Sequence, residues 1–273
     1  MKGPIITLTT DFGLSDPYVG IMKGVILSIN PEARIVDISH QIDVGAIPHA
    51  ADLILEACDF FPKGTIHVGV VDPGVGGDRR PILIKTEDYF FLGPDNGLFW
   101  PILRTHQRVE IIHLTKKEYF LPHVSHTFHG RDIFAPVAAH LSCGIDPLKM
   151  GSSITDPMPL QLPVSQQKRG GLFGQVLRVD KFGNLITNIH REDLAQFLGA
   201  DQPIIKVCDL VIEGVCKTYA DANEGKALAL IGSSERLEIA VNLGRACDQL
   251  GVRPGGRIGM EVEVRKDEKS KMK

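Results

Sequence analysis

Apolar and polar positions along the chain fall into two textures. Residues 5–10 are β-branched and apolar, which predicts a strand, and the run stops at Asp11-Phe12-Gly13. Residues 18–29 then repeat apolar side chains at helical spacing. The same strand, loop and helix order returns with a strand over 34–39, a helix over 44–60 and a third strand over 65–71 that ends at Asp72-Pro73-Gly74. Further strands are predicted at 81–85, 89–92 and 109–114, and helices at 95–103 and 132–143. Strands alternating with helices imply an α/β domain with a mainly parallel sheet, covered on both faces.

From 151 to 170 the texture changes to Pro157, Pro159 and Pro163 with Ser, Gln and a Lys-Arg-Gly-Gly turn, the composition of a linker. The reading is an α/β N-terminal domain over 1–160, a linker over 161–170, an all-β, barrel-like C-terminal domain over 171–265, and a charged, disordered tail over 266–273. Strands in the second domain are predicted at 173–180, 185–189, 204–207, 210–212, 227–231, 237–241 and 258–264, with few helical signals.

Hydrophobic residues make up 43% and charged ones 23%, the proportions of an ordinary globular protein rather than a disordered one. A formal net charge of −3 gives no basic face for nucleic acid or an anionic membrane surface. No apolar run approaches the roughly 20 residues of a spanning helix, and the start carries no secretory pattern. The five cysteines are odd in number and never form a C-x-x-C pair, which fits reduced thiols in a cytoplasmic protein. A charged small molecule must then be met by a local site.

Three predicted parallel strands end in polar residues: Asp11 after the first, Ser39-His40 after the second, Asp72 after the third. Ligands of open α/β sheets sit beyond the carboxyl ends of the strands. A single Asp there is equally a turn or cap residue, so the coincidence of three carries the argument. The run Val71-Asp72-Pro73-Gly74-Val75-Gly76-Gly77-Asp78-Arg79-Arg80 lets Asp72 and Arg79 face each other across a glycine-rich loop; the competing reading is a surface ion pair worth about 0–1 kcal/mol. No Gly-Lys-Ser/Thr follows and G-x-G-x-x-G does not fit, which disfavours a nucleoside triphosphate. His129, in Phe128-His129-Gly130-Arg131-Asp132, stands just before a predicted helix, where an imidazole can orient or relay a proton.

His123, His126 and His129 share a three-residue spacing that raises a metal site, but Pro122 and Gly130 argue against the helix such a face needs, so no metal is assigned. Asp11-Phe12-Gly13 copies a kinase triplet without the other kinase signatures and is coincidental. In the second domain, Asp180-Lys181-Phe182-Gly183-Asn184 and Thr187-Asn188-Ile189-His190 flank a predicted strand, and Gly232-Ser233-Ser234-Glu235 leads into another. Local backbone capping accounts for part of these.

Together, Thr10-Asp11-Phe12-Gly13, Val71 to Gly76, Gly93-Pro94-Asp95-Asn96-Gly97, Thr127 to Asp132, Asp180 to Asn184 and Ser233-Ser234 through Asn242 resemble, in collinear order over almost the whole chain, the S-adenosylmethionine hydroxide adenosyltransferases, relatives of fluorinating and chlorinating enzymes. The resemblance implies hydrolysis of S-adenosylmethionine at the ribose 5′-carbon to adenosine and methionine, without a cofactor, by a homotrimer with active sites at subunit interfaces. It implies that Asp72, Arg79 and His129 serve the water, with Asp72 and His129 accepting its hydrogen bonds and drawing off its proton while Arg79 fixes Asp72. It further implies that Asp11 holds the ribose diol, Asp16 and Asp180 the methionine ammonium, Ser233 and Ser234 its carboxylate, and Asn184 the adenine edge, with Phe182 and Tyr219 on apolar parts of the ligand.

Three departures from the halogenating branch favour hydroxide. Gly130 and Asp72 stand where the fluorinating enzyme has Ser and Tyr, and no insertion fits between Arg80 and Tyr89. Gly45 replaces a bulky residue that many relatives place beside the ribose. The alternatives are a halide-using synthase of the same fold and a non-catalytic binder of S-adenosylmethionine or adenosine.

Overall fold

The computed structural model describes residues 3–252 and 259–267, and the chain divides into two compact units, Met1–Gln161 and Leu162–Lys273. In the first unit, β1 (Ile5–Thr10), β2 (Arg34–Ser39), β3 (Ile66–Val70), β4 (Pro81–Lys85), β5 (Phe90–Pro94), β6 (Glu110–Leu114) and β7 (Gly151–Ile154) form one sheet in the order β2-β1-β3-β5-β4-β6-β7. Strands β2, β1, β3 and β5 are parallel, whereas β4, β6 and β7 join antiparallel. The antiparallel half starts where the connection is too short to cross over: only Thr86 to Tyr89 separate β4 from β5, and a parallel return needs a dozen or more residues.

Alternation along the strands divides the core in two. Ile6 and Leu8 of β1, Val68 and Val70 of β3 and Leu92 of β5 face helices α1 (Tyr18–Ile29) and α4 (Ala135–Ser142), through Met22, Ile26, Val137 and Ala138. On the other face Ile82, Ile84 and Phe91 pack with Ile54 of α2 (Ile47–Cys58) and Ile102 of α3 (Trp100–Thr105). Helix α2 starts later than its apolar pattern suggests because Gly45 adopts φ +74°, and α3 starts late because Gly97 turns the chain at φ +93°.

The named strands of the second unit all pair antiparallel. Strands β8 (Gln166–Lys168), β9 (Gly171–Val179), β10 (Leu185–His190), β11 (Pro203–Val207), β12 (Leu210–Glu213), β13 (Ala227–Ile231), β14 (Arg236–Val241) and β15 (Glu261–Lys266) run in the order β12-β11-β15-β9-β10-β14-β13, with β8 on β9. Just after β12, Cys216 N–H donates to Ala229 of β13 (2.8 Å), so the two ends of the sheet approach and it curls towards a closed barrel. Leu172, Val176, Leu185, Ile205, Ile239 and Val262 fill its core.

Three expectations are corrected here. The 161–170 segment is not a bare linker, because Arg169 (φ +49°) and Gly170 (φ +74°) make a two-residue hairpin turn that pairs β8 with β9. Helix α5 (Arg191–Leu198) escapes a periodicity reading because Leu194 and Leu198 are its only buried positions. Strand β15 continues through Lys266, opposite Pro203, so pairing reaches into the segment read as a tail; residues 268–273, like Ile258 of the predicted last strand, lie outside the described residues.

Gly93 of β5 sits against the β3 backbone. A Cβ there would lie 2.2 Å from the Gly69 carbonyl oxygen and 3.0 Å from the Phe99 ring, and a paired strand has little room to retreat. Gly93→Ala is expected to destabilise the protein by about 1–3 kcal/mol, read as a lower urea midpoint at unchanged slope. An unchanged midpoint contradicts this packing.

Candidate active site

The carboxyl ends of β1 and β3 point the same way, and the loops that leave them carry Asp11 and Asp72. Arg79, farther along the β3–β4 loop, turns back on Asp72. Its Nε donates to both carboxylate oxygens (3.0 and 2.9 Å) and its Nη2 to Oδ2. The same Nη2 lies 2.7 Å from Nδ1 of His129. Arg79 therefore bridges Asp72 and His129.

Burial decides what this bridge is. The Asp72 and Arg79 side chains are only 4% and 9% exposed, so the surface-pair value does not apply. Removing one partner of a buried pair strands the other charge, at a cost of about 3–5 kcal/mol. Beneath the guanidinium, the Phe134 ring lies 5.6 Å from Cζ and adds a cation–π contact.

Two local devices bring the histidine to the arginine. Gly76, at φ +78°, passes so close to the His126 carbonyl that a Cβ would come within 2.2 Å of its oxygen, so the glycine run lets the two loops pack together. The fully buried Asp132 accepts from Ser125 N–H (2.8 Å) and from Arg131 Nε (2.6 Å), which ties down the loop that carries His129. His129 itself caps a single π turn, Gly130–Phe134, that leads into α4. Such turns recur at functional sites.

The direction of the Arg79–His129 bond follows from chemistry. A guanidinium has donors only, so Nδ1 of His129 must be the acceptor, unprotonated, and the neutral ring carries its proton on Nε2. Burial first, and the Arg79 charge second, hold the His129 pKa below its usual value; Asp72 and Asp132 oppose this. The Nδ1 lone pair of His129 is thus occupied by Arg79, which leaves Nε2–H as the free polar edge of the ring.

Asp11 Oδ2 accepts from the backbone N–H of Gly45 (2.8 Å), whose φ of +74° supplies the local reason for the glycine. Asp16 is exposed in the turn ahead of α1. His123 and His126 lie in the irregular loop before the π turn, and among the described residues no group of three or more His, Cys, Asp or Glu side chains is arranged to hold a metal ion.

A second cluster lies in the second unit. Asp180 and Asn184 close the β9–β10 turn: Oδ1 accepts from Asn184 N–H (2.8 Å) and Oδ2 from its Nδ2 (3.0 Å). Phe182 projects from this turn, 76% exposed. Ser233 and Ser234 occupy the β13–β14 turn. The Tyr219 hydroxyl donates to Glu238 Oε1 (2.8 Å); burial, then this bond, push the phenol up to about 12. Burial likewise raises the carboxyl of Glu238, with Asp180 nearby adding to the effect. Sequence reasoning did not single out Glu238. Its signal was a carboxylate inside the otherwise apolar run Leu237 to Val241, every position of which is buried.

A half-parallel α/β sheet with its polar loops at the strand carboxyl ends, followed by an antiparallel barrel-like unit, defines the class to which this protein belongs. Residues 6–151 match the SAM hydroxide adenosyltransferase N-terminal domain and residues 174–259 its C-terminal domain. The chain belongs to the S-adenosylmethionine hydroxide adenosyltransferase family. It is 36% identical over 262 residues to the (R)-S-adenosyl-L-methionine hydrolase of Salinispora tropica, covering 93% of this chain and 97% of that one. A fluorinase from Nocardia brasiliensis is 27% identical over 295 residues, covering 96% and 98%. A crystal structure of a conserved protein from Thermotoga maritima superposes with a TM-score of 0.88 at 36% identity, covering 96% and 100%.

With its pKa held below 6.5, His129 stays neutral as the pH falls past the point where a free histidine protonates. The unfolded chain takes up that proton first, so this group's contribution to stability is present above about pH 6.5 and is lost as the pH drops through the lowered value. In an NMR titration the His129 ring is expected to show a midpoint below 6.5, moving up in Arg79→Gln. A midpoint at or above 6.5 contradicts the arrangement.

Proposed function

We propose that this chain hydrolyses S-adenosyl-L-methionine at the ribose 5′-carbon, with water as nucleophile, to give adenosine and L-methionine. The observation that carries this reading is the Arg79 bridge between Asp72 and His129, in a chain that aligns nearly end to end with a relative named as a hydrolase of this compound. That name specifies the R form. The L descriptor already fixes the α-carbon, so R refers to the sulfonium, and the same epimer is the proposed substrate here.

The sulfonium departs as a neutral thioether and needs no general acid. The protein's task is to place an oxygen nucleophile in line behind the 5′-carbon. In this reading Asp72 accepts a hydrogen bond from the water and takes its proton as the C–O bond forms and the C–S bond breaks. Arg79 holds Asp72 and places a positive charge beside the developing hydroxide. His129 fixes the water through Nε2–H.

Asp11 would accept from the ribose diol, since one carboxylate can receive both hydroxyls. Asp16 and Asp180 are assigned to the ammonium, Ser233 and Ser234 to the carboxylate, Asn184 to the adenine edge, and Phe182 and Tyr219 to apolar parts of the ligand. A homotrimer with shared active sites, a cytoplasmic location and the absence of a cofactor complete the proposal. Among the described residues no helix is long and apolar enough to cross a membrane.

The test is product analysis in oxygen-18 water with each sulfonium epimer. The expected result is label on the adenosine 5′-oxygen, faster turnover of the R epimer, and a fall in kcat of roughly 10²–10⁴-fold in Asp72→Asn. Tight binding without turnover, or a halogenated nucleoside in chloride or fluoride, overturns the proposal.

A further inference from the structure

The second polar strand end, Ser39-His40, has no role in the reaction above, yet His40 is only 4% exposed. Strands β1 and β2 pair in register up to Leu8 opposite Asp37, but the next pair is Thr9 with Ser39, so β2 bulges by one residue. A bulge re-aims the side chains that follow it. Here His40 Nδ1 comes to lie 2.8 Å from Thr10 Oγ1, and His40 Nε2 lies 3.1 Å from Asp37 Oδ1. The second is a close approach that lacks hydrogen-bond geometry. Asp37 is held in turn by Lys23 (2.6 Å).

Both neighbours of Asp11 in the chain are tied to this group. Thr10 Oγ1 accepts from Phe12 N–H (3.3 Å), which arches the backbone over Asp11, and Gly13 N–H donates to the His40 carbonyl (2.7 Å). The loop that leaves His40 also supplies the Gly45 N–H bound to Asp11 Oδ2. Residues 10–13 are thus latched to 40–45 at three points: a hydroxyl–imidazole contact, a backbone bond and a carboxylate–amide bond. Asp11 keeps lone pairs for two further donors.

We infer that His40 is a positioning residue, which holds the Asp11 carboxylate through Thr10 and the 10–13 loop at the orientation required to receive a vicinal diol. This rests on the proposed role of Asp11 as the ribose-binding group. Phe12 N–H is held by Thr10 Oγ1, which the His40 imidazole orients, whereas the bond from Gly13 N–H to the main-chain carbonyl of residue 40 survives loss of the imidazole. Losing the imidazole therefore loosens Thr10 and Phe12 on either side of Asp11 and frees its carboxylate to rotate without touching Asp72, Arg79 or His129. The consequence falls on ribose recognition rather than on the water.

The experiment compares kcat/KM for S-adenosylmethionine and for its 2′-deoxy analogue in the full-length protein. Asp11→Asn tests the underlying reading and is expected to bring the ratio of the two close to one. Thr10→Val and His40→Leu are each expected to lower the ratio by roughly tenfold, about one hydrogen bond's worth, with kcat for the 2′-deoxy analogue changed by less than about threefold. His40→Asn, whose amide reaches the place of Nδ1, is expected to restore most of the ratio. A loss of packing alone would lower both substrates together. If Asp11→Asn collapses the ratio while Thr10→Val and His40→Leu leave it at the wild-type value, His40 does not position Asp11. If Asp11→Asn leaves the ratio intact, the ribose assignment falls and this inference with it.

Discussion

Arg79 meets two partners at once, and its surroundings leave little water to replace either. Its fork is filled by Asp72 on one edge, and the remaining hydrogen of Nη2 is directed to His129. Because a guanidinium only donates and does not lose its proton, this one side chain decides the state of both neighbours. Asp72 is offered a charge to pair with, and His129 is confined to a neutral tautomer with an occupied Nδ1. The imidazole keeps its Nδ1 lone pair on Arg79 and its proton on Nε2.

The rest of the first unit serves to hold these groups at one end of a sheet. Parallel strands deliver Asp11, His40 and Asp72 to the same side, as crossover connections require. Glycines then let the loops close on each other: Gly76 by its close pass to the His126 carbonyl, Gly45 by the φ of +74° in the turn whose N–H meets the Asp11 carboxylate. The Gly93 to Gly97 motif works in the same service. Asp95 pairs with Arg80 and accepts from Met158 N–H (2.8 Å), while Asn96 Nδ2 donates to the Val71 carbonyl (2.9 Å), one residue before Asp72. These residues locate the carboxylate without facing it.

Elements whose apolar period was strong were legible before any coordinates. Strands over 5–10, 34–39, 81–85 and 227–231 and the helix over 18–29 have the boundaries their side chains announce. The antiparallel half of the first sheet was legible only in the short gap between the strands predicted at 81–85 and 89–92, because direction depends on the length of the connection rather than on the strand's own residues. Helix α5 and strand β8 were missed because one buries two leucines and the other is made of Gln, Gln and Lys. In the site, spacing let Asp72 and Arg79 face each other and marked His129 separately, and the family resemblance grouped the three and supplied their roles. Which ring nitrogen faces Arg79 and the pairing of Tyr219 with Glu238 depend on contacts between residues far apart in the chain, which no local pattern carries.

The tautomer is the most direct point of test, since the Arg79 bridge and the role assigned to His129 at the water both depend on which side of that ring is free. Nitrogen-15 shifts of the His129 ring at neutral pH report it without substrate. The account predicts an unprotonated Nδ1 and a protonated Nε2. A proton on Nδ1, alone or together with one on Nε2, contradicts it.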